Sequence, residues 1–448
     1  MTFKVGLLGL GTVGSGTAKI LLDPAQRHPL IKELEIAKIG VRSLDKPRDI
    51  GLPQDRFTTD LDAIVTDPDI DIIVEVIGGL EPARNLMLKA IEHGKHVVTA
   101  NKAAIALYSD ELFTAAEQAG VYILLEAAVG GGIPVIEPLK QSLCANRILG
   151  ITGIINGTTN YILTRMKNEG GDFADILADA QALGYAEADP TADVDGGDAA
   201  DKIAILASLA YGGRIDRKQV HSEGIRAIAA ADIAYADSLG FVIKLLAFAQ
   251  RCASLPGEPQ KLELRVHPTL VPLDHPLASV NGVNNAIFIE GDPVGKVMFF
   301  GPGAGSGPTA SAVVADVLNI AALLQVEQVQ SKQLQLEPNR DRPRSLDPLL
   351  ACRHQHDCDI APINETVTRF YLRLISSDRP GTLGFVGTCF GNHGVSLESI
   401  VQTHRQDGSA EIAVVTHDVQ EGKFRQAMAE LTAEGDRIRD VAAVIRVL

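Results

Sequence analysis

The sequence of 448 residues is poor in the residue types that mark several classes of protein. It contains no tryptophan, 4% aromatic residues and five cysteines, and its net charge at pH 7 is −15. The acidic balance argues against nucleic acids and anionic membranes as partners. An odd number of scattered cysteines does not make a disulfide framework and fits a reducing compartment.

Long apolar runs are also missing. No uninterrupted apolar stretch reaches the roughly 18 residues needed to cross a bilayer, and the N-terminus enters a strand-like pattern without signal-peptide features. We therefore expect a cytoplasmic protein without a membrane partner. The chain does have enough residues for several domains, and its 46% hydrophobic content is sufficient for large cores.

A glycine motif follows the first apolar segment. Residues 3–22 read FKVGLLGLGTVGSGTAKILL, a predicted strand, then G-x-G-x-x-G, then an amphipathic helix. In that context the motif is typical of dinucleotide binding, because the helix N-terminus and the open backbone accommodate a pyrophosphate. The alternative is a tight turn without a ligand. The predicted cofactor contacts here are Gly9, Gly11, Thr12, Val13 and Gly14.

The end of the second predicted strand indicates which dinucleotide binds. An acidic residue there favours NAD, whereas a nearby arginine accommodates the 2′-phosphate of NADP. The sequence has Arg42 at this position, followed by Lys46 and Arg48. NADP is therefore favoured, a surface arginine cluster is the alternative, and Asp45 leaves NAD possible.

Strands and helices alternate through residue 133, which predicts an α/β fold with a doubly wound parallel sheet of the Rossmann type. Ligands bind such sheets at the carboxyl ends of the strands. Thr99 and Lys102 follow the strand HVV, so we expect both beside the cofactor. For Lys102, a surface lysine at a helix start is the alternative.

The stretch 182–202, ALGYAEADPTADVDGGDAADK, has six acidic residues and a single cation, Lys202. Repulsion between neighbouring carboxylates destabilises a fold unless a positive group lies close to them, so a cationic substrate group or a metal is indicated. Calcium is disfavoured, because an EF-hand loop from Asp193 or Asp189 would have alanine at its twelfth position. The alternative is a solvated acidic loop before a helix, with Asp198 and Lys202 as an ordinary surface pair.

The C-terminal part has a different pattern. Residues 363–448 predict the order β-α-β-β-α-β of a ferredoxin-like unit, preceded by a linker at 331–362. Within the linker, C-x-H-x-H-x-C raises a zinc alternative, although structural zinc pairs usually show wider spacings. Its members are Cys352, His354, His356 and Cys358.

Together these features resemble the homoserine dehydrogenases that carry a C-terminal ACT domain. The family signature matches from Ala180 to Lys202, and Asp378-Arg379-Pro380-Gly381 resembles the ACT loop. The resemblance implies reduction of L-aspartate 4-semialdehyde to L-homoserine by NAD(P)H, in the route to threonine, methionine and isoleucine. No kinase domain precedes the glycine motif, so we expect the monofunctional form.

The resemblance also assigns roles to residues. It implies Lys202, Asp198 and Lys102 as catalytic residues, with Lys202 the proton donor, and Glu187, Asp198 and Lys102 as substrate contacts. It adds Gly184 and Gly303 as cofactor contacts. It implies a possible sodium ion on Glu126, Val129, Gly131 and Ile133, for which an ion-free glycine-rich crossover is the alternative.

The expected architecture is a nucleotide domain (1–133, with a return helix at about 304–330), a mixed α/β substrate and dimerisation domain (134–303), the linker and the ACT domain. We expect a homo-oligomer, dimer or tetramer. We also expect threonine to bind near residues 378–381 and a facing turn at 392–394, and removal of 364–448 to leave an active enzyme.

Two other functions stay open at this stage. A phosphorylating semialdehyde dehydrogenase would need a nucleophilic cysteine, for which Cys144 is the candidate. An amino-acid sensor without catalysis would need only the C-terminal domain. Retention of the glycine motif and of Lys202 disfavours the sensor.

Overall fold

The computed structural model describes residues 2–48, 50–252, 260–333, 346–352, 354, 356–404, 409–433, 435 and 437–448. The chain forms two compact units. The first contains Met1–Ile148, Ala204–Arg217 and Glu290–Asp357, and the second contains Leu149–Ile203, Lys218–Ile289 and Cys358–Leu448. Residues 334–345 of the predicted linker lie outside the described residues.

Strands and helices alternate in the N-terminal part of the first unit, as predicted. They are β1 (Phe3–Leu8), α1 (Thr12–Leu22), β2 (Leu34–Gly40), β3 (Phe57–Thr58), α2 (Leu61–Thr66), β4 (Ile72–Glu75), α3 (Ala83–Glu92), β5 (His96–Thr99), α4 (Lys102–Ala119), β6 (Ile123–Leu124) and α5 (Ile136–Lys140). The strands form a parallel sheet in the order β3-β2-β1-β4-β5-β6. This confirms the Rossmann-type fold.

The strand order reverses between β1 and β4, which places the topological switch point there. In open α/β sheets, ligands bind in the crevice outside the carboxyl ends of the strands at this point. β1 ends immediately before the glycine motif, and β4 ends at Glu75. The sheet therefore brings the glycine motif and the segment after Glu75 to the same edge.

The middle of the chain supplies a second sheet. Its elements are β7 (Arg147–Ile154), α6 (Gly157–Glu169), α7 (Phe173–Ala182), α8 (Thr191–Val194), α9 (Gly197–Tyr211), β8 (His221–Ser222), α10 (Ala230–Ser238), β9 (Phe241–Arg251), β10 (Lys261–Pro272), β11 (Asn284–Asp292) and β12 (Gly295–Pro302). β9 and β10 pair antiparallel along their whole length, and β7 pairs with β9 on the other side. β7, α9 and β11 each continue from one unit into the other.

α11 (Ser306–Gln333) is the return helix of the first unit, longer than the predicted 304–330 at its C-terminal end. Among the described residues it is the one helix long and apolar enough to cross a membrane. Its apolar face lies in the core of the first unit, where Val313, Val317 and Ile320 are fully buried. The small residue Gly16 lets α1 approach it closely, because a Cβ there would lie 2.5 Å from the Ser306 carbonyl oxygen.

The C-terminal part forms β13 (Asp359–Ile360), β14 (Val367–Ser377), α12 (Thr382–Asn392), β15 (Leu397–His404), β16 (Ser409–Thr416), β17 (Val419–Gln420), α13 (Glu421–Ala433) and β18 (Ile438–Val447). The sheet order β18-β14-β16-β15 confirms the predicted ferredoxin-like unit. Its core stacks Phe370 on Phe424, with ring centroids 3.9 Å apart.

The ferredoxin-like part contacts the rest of the second unit through strand pairing and a buried ion pair, in addition to the linker. β18 pairs in parallel with β10, at Thr269↔Arg446 and Leu270↔Val447, so one sheet runs through both parts. Arg373 of β14 also forms a buried ion pair with Asp232 of α10, with Nε 2.6 Å from Oδ1. These contacts argue against a clean removal of residues 364–448, because removal would expose an edge of β10 and take away the cation that pairs with Asp232.

Candidate active site

The glycine motif has the backbone geometry that a tight strand-to-helix turn requires. Gly9 has φ +101°, a conformation that L side chains rarely adopt, and its N–H donates to the Gly40 carbonyl at 3.0 Å. A Cβ at Gly14 would lie 2.2 Å from the Gly9 carbonyl oxygen, whereas a Cβ at Gly11 would have nothing within 4 Å. The turn thus closes tightly at Gly14 and leaves space above Gly11, at the N-terminus of α1.

Two neighbouring strand ends are fixed to each other beside this turn. The buried carboxylate of Glu75 accepts hydrogen bonds from the Thr99 hydroxyl at 2.6 Å and from the Ile77 and Gly78 N–H groups. Asn101 donates to the Gly79 carbonyl at 2.7 Å and caps α4 through the Ala104 N–H. Thr99 therefore serves the scaffold of the crevice, and Lys102 is the first residue of α4, partly buried.

The loop after β2 presents two of its three cations to solvent. Arg42 and Lys46 are exposed. Arg48 instead bonds back to the loop, donating to the carbonyl oxygens of Lys46 and Ser43, and lies over the Phe57 ring. Arg48 is thus part of the loop's own structure, whereas Arg42 and Lys46 extend into solvent.

Within the first unit, the glycine-rich segment 301–307 packs against the glycine-rich turn 130–132. Gly131 has φ +57°, and a Cβ there would lie 2.3 Å from the Gly303 carbonyl oxygen. The Gly132 N–H donates to the Pro302 carbonyl, and the Ser306 hydroxyl donates to the Thr12 carbonyl at 2.8 Å. These contacts bring Gly303 beside the predicted sodium ligands and Ser306 beside the glycine motif.

Glu126, the one carboxylate of the predicted sodium set, is buried and has a structural task. Its two carboxylate oxygens accept the N–H groups of Val135, Ile136 and Glu137 at 2.5, 2.9 and 2.7 Å, at the start of α5. The Glu126 N–H donates to Asp316, whose other carboxylate oxygen is buried without a hydrogen-bond partner. Burial raises the pKa of both carboxyl groups, so this pair would favour a bound proton or a cation.

In the second unit, the acidic stretch ends in a buried ion pair. Lys202 Nζ lies 2.8 Å from Asp198 Oδ2 and 2.8 Å from the Ile155 carbonyl oxygen. The two residues are only 9% and 4% exposed. The reading of Asp198 and Lys202 as an ordinary surface pair is therefore wrong: α9 begins at Gly197 and turns both side chains inward.

Asn156, at the start of α6, organises the carboxylates. Its Nδ2 donates to Asp193 Oδ1 at 2.7 Å and to Asp198 Oδ2 at 2.9 Å, while its Oδ1 accepts the Thr159 N–H. Thr158 Oγ1 lies 2.8 Å from the Tyr185 carbonyl oxygen and 3.1 Å from Asp193 Oδ2. The two halves of the acidic stretch are thus joined through α6.

Lys202 is not the only cation that pairs with the acidic stretch, although it is the only cation within residues 182–202. Asp195 pairs with Arg226, 31 residues further along the chain, with Nε 2.6 Å from Oδ1. Asp189 instead accepts the Thr191 N–H. Glu187 and Gly184 lie on the exposed loop after α7, where Gly184 has φ +76°.

The four residues of C-x-H-x-H-x-C do not converge. His354 lies between Ser208, 3.2 Å from its Nε2, and the edge of Phe113, and burial lowers its pKa to about 4. His356 is exposed. Within the part of the chain that the structure describes, no group of three or more His, Cys, Asp or Glu side chains could hold a metal ion. Cys144 is exposed, and all five cysteines are free thiols.

Sequence reasoning missed four residues that build these sites: Glu75, Asn101, Asn156 and Thr158. A signal was present for two of them, because the polar run 156–160, NGTTN, directly follows the apolar strand β7. For Glu75, an acidic residue ending an apolar strand was the available clue. None of the four belongs to a recognisable sequence motif, so only the fold shows which groups each of them contacts.

Comparisons with known proteins show the family of the chain. Three family models match: "Homoserine dehydrogenase, NAD binding domain" at residues 9–126, "Homoserine dehydrogenase" at 134–318, and "ACT domain" at 370–436. A homoserine dehydrogenase of Synechocystis sp. is 61% identical over 448 residues, all of both chains.

Solved structures give the same result. A homoserine dehydrogenase from Thiobacillus denitrificans superposes with a TM-score of 0.88 at 41% identity, covering 100% of this chain and 98% of that one. A hyperthermophilic archaeal homoserine dehydrogenase in complex with NADPH has a TM-score of 0.60 at 29% identity, covering 72% and 98%. The chain belongs to the homoserine dehydrogenase family, as an NAD(P)-dependent oxidoreductase with a C-terminal ACT domain.

Proposed function

We propose that Lys202 is the proton donor in the reduction of L-aspartate 4-semialdehyde to L-homoserine. When bound, the reduced nicotinamide supplies a hydride to the aldehyde carbon. The carbonyl oxygen then needs a proton, and a buried ammonium group both stabilises the developing charge and donates that proton. The observation that carries this proposal is the buried contact of Lys202 Nζ with Asp198 and the Ile155 carbonyl, which fixes the ammonium in one place.

The neighbouring polar groups support this role. Asp198 orients Lys202, and Asn156 holds Asp198 in turn. Glu187, whose carboxylate is exposed, is proposed to bind the substrate ammonium, and Lys102 at the start of α4 to contact cofactor and substrate. Asp193, fixed by Asn156 and Thr158, shapes the same loop.

The direct test is oxidation of NADPH, followed at 340 nm, with aspartate semialdehyde as substrate. We expect turnover by the wild type and a loss of at least roughly 100-fold for Lys202→Met, the lower limit of typical acid catalysis. Lys167→Met is the matched control, because Lys167 is a lysine of the same unit in a partly exposed pair with Asp237. Equal turnover of wild type and Lys202→Met would refute the role.

For the cofactor we propose NADPH over NADH. The exposed guanidinium of Arg42 follows β2 at the position where a 2′-phosphate would lie. The archaeal relative was solved with NADPH. Arg42→Ala should raise KM for NADPH and leave KM for NADH nearly unchanged; equal changes for both cofactors would contradict the assignment.

We further propose a sodium ion on Glu126 and the carbonyl oxygens of Val129, Gly131 and Ile133. The buried, partnerless oxygen of Asp316 beside Glu126 supports a cation there, whereas the three N–H groups on Glu126 explain that carboxylate without one. Replacing sodium by N-methylglucamine at constant ionic strength should lower the melting temperature. An unchanged melting temperature would leave α5 capping as the role of Glu126.

Regulation by an amino acid is proposed for the ACT domain, with threonine as the effector, in a cytoplasmic homo-oligomer. The two turns expected to face one ligand lie instead at opposite ends of α12, about 16 Å apart for 11 residues. One chain thus cannot present both to a small amino acid, and we place the effector at residues 378–381. Calorimetry with threonine tests binding, and sedimentation tests the oligomer.

A further inference from the structure

A cluster of charges, buried at Arg446 and Glu421 and partly exposed at Glu223, joins the last strand of the chain to the segment 221–226. Arg446 of β18 is 4% exposed and donates two hydrogen bonds to Glu223, at 2.7 and 2.9 Å, and two to Glu421, at 2.6 and 2.9 Å. Bidentate pairs of this kind fix geometry as well as charge. His221 lies 2.7 Å from the same Glu223 carboxylate. Glu223 is therefore held from the ACT side by an arginine with little freedom to move.

The segment 221–226, called here the coupling segment, is hydrogen-bonded to β10 through its backbone. His221 and Ser222 pair in parallel with Arg265 and Val266, and the Glu223 N–H donates to the Val266 carbonyl at 2.8 Å. β10 is also the strand that pairs with β18. The coupling segment and the end of the ACT sheet thus rest on the same strand.

The coupling segment also forms hydrogen bonds and an ion pair with residues 194 and 195 of the acidic stretch. The Ile225 N–H donates to the Val194 carbonyl at 2.8 Å, the Ser222 hydroxyl donates to the Asp195 carbonyl at 3.1 Å, and Arg226 pairs with the Asp195 carboxylate. The backbones of the two segments are in close contact, because a Cβ at Gly224 would lie 2.2 Å from the Val194 carbonyl oxygen. A shift of the segment must therefore move residues 194–196.

Those loop residues lie between the two carboxylates of the active site. Asp193 precedes them and Asp198 follows, and Asn156 bonds to both. Asp198 in turn holds Lys202. A displacement at 194–196 thus changes the separation of the groups that Asn156 bridges and the position of the ammonium.

We propose that the coupling segment positions the catalytic loop, and that the ion pair of Glu223 with Arg446 is the route by which the ACT domain acts on substrate binding. This inference rests on the proposed function. Glu223 and Arg446 are positioning residues, because neither contacts the reacting groups; each acts through residues 194–196. An effector that moves β18 against β10 would shift this pair, and the affinity for substrate would change with it.

The test compares Glu223→Gln with wild type in the full-length chain, measuring homoserine oxidation at varied homoserine and NADP⁺, with and without threonine. Glutamine keeps the shape of the side chain and removes the charge that Arg446 binds. We expect KM for homoserine to rise at least roughly fivefold, the lower end of typical couplings between sites. KM for NADP⁺ should be unchanged, and the effect of threonine should weaken. Glu223→Asp, which keeps the charge, should restore part of both properties.

Glu365→Gln is the matched control, because Glu365 also links the C-terminal part to β10, through Lys261 at 3.0 Å, without touching the acidic loop. It should behave as wild type. If Glu223→Gln lowers only the melting temperature and leaves both KM for homoserine and the threonine effect unchanged, the proposal is overturned. If Glu223→Gln does not fold, Arg226→Gln reaches the same loop from an exposed side chain, and an unchanged KM there would also overturn it.

The outcome separates this inference from the proposed function. A wild type without homoserine oxidation would refute the proposed function before any variant is compared. An active wild type that ignores threonine would refute threonine as effector, while the change in KM for homoserine would still decide whether the segment positions the loop.

Discussion

We expect replacement of Lys202 to lower both the turnover and the stability of the protein, by two separable effects. Acid catalysis typically contributes roughly 10² to 10⁴ in rate, about 3 to 5 kcal/mol at 1.36 kcal/mol per tenfold. Lys202→Met should therefore lower kcat by that factor. Because the ammonium donates to Asp198 and Ile155 and not to the glycine motif, the dissociation constant for NADPH should be nearly unchanged.

The stability effect follows from burial. Without Lys202, the 4% exposed Asp198 keeps Asn156 as a donor and loses its cation. Removing one partner of a buried pair costs about 3 to 5 kcal/mol, a large share of the total stability of a typical domain. The double variant Asp198→Asn with Lys202→Met removes the orphaned charge and should recover much of that loss, while turnover stays low.

The assay combines three measurements: turnover at saturating aspartate semialdehyde, NADPH affinity by fluorescence, and the free energy of unfolding in urea. Turnover that recovers together with stability in the double variant would show that Lys202 supports the fold only.

Three further outcomes are expected. Gly14→Ala should unfold at a lower temperature than the wild type, because its Cβ meets the Gly9 carbonyl. Gly11→Ala should keep wild-type stability and bind NADPH at least roughly tenfold more weakly, because its Cβ enters the open space that a pyrophosphate would occupy. Equal melting temperatures and equal NADPH affinities of the two variants would contradict this expectation. Burial lowers the pKa of Lys244 to about 8 from 10.5, so between these pH values the unfolded chain binds more protons than the folded chain. The contribution of Lys244 to the free energy of unfolding should therefore rise with pH by up to about 3 kcal/mol. Urea unfolding of wild type and Lys244→Met across pH 7–11 measures this contribution, and parallel plots of the free energy of unfolding against pH would refute it. Deletion of residues 364–448 should yield an aggregating protein, because it exposes the edge of β10 that pairs with β18, as sedimentation would show; a monodisperse, fully active truncation would disprove the shared-sheet argument.

The sequence by itself determined the elements and the chemical class of the site. The turn at Gly9 and Gly14, the alternation of strands and helices, and the ferredoxin-like order depend on backbone preferences over a few neighbouring residues. Those preferences act locally, so they can be read from spacing. The resemblance in the acidic stretch then indicated Lys202 and Asp198, whose spacing of four places them on the same side of a helix.

Only the tertiary structure decided which charges meet. Arg226 reaches Asp195 from 31 residues away, Asn156 reaches Asp198 from 42, and Arg446 reaches Glu223 from 223. Contacts across such separations depend on how strands pair and which face each helix buries, and residue spacing does not encode them. For the same reason the C-terminal domain was expected to be detachable: residue spacing does not show that β18 pairs with β10, which makes the domain part of the sheet of the second unit.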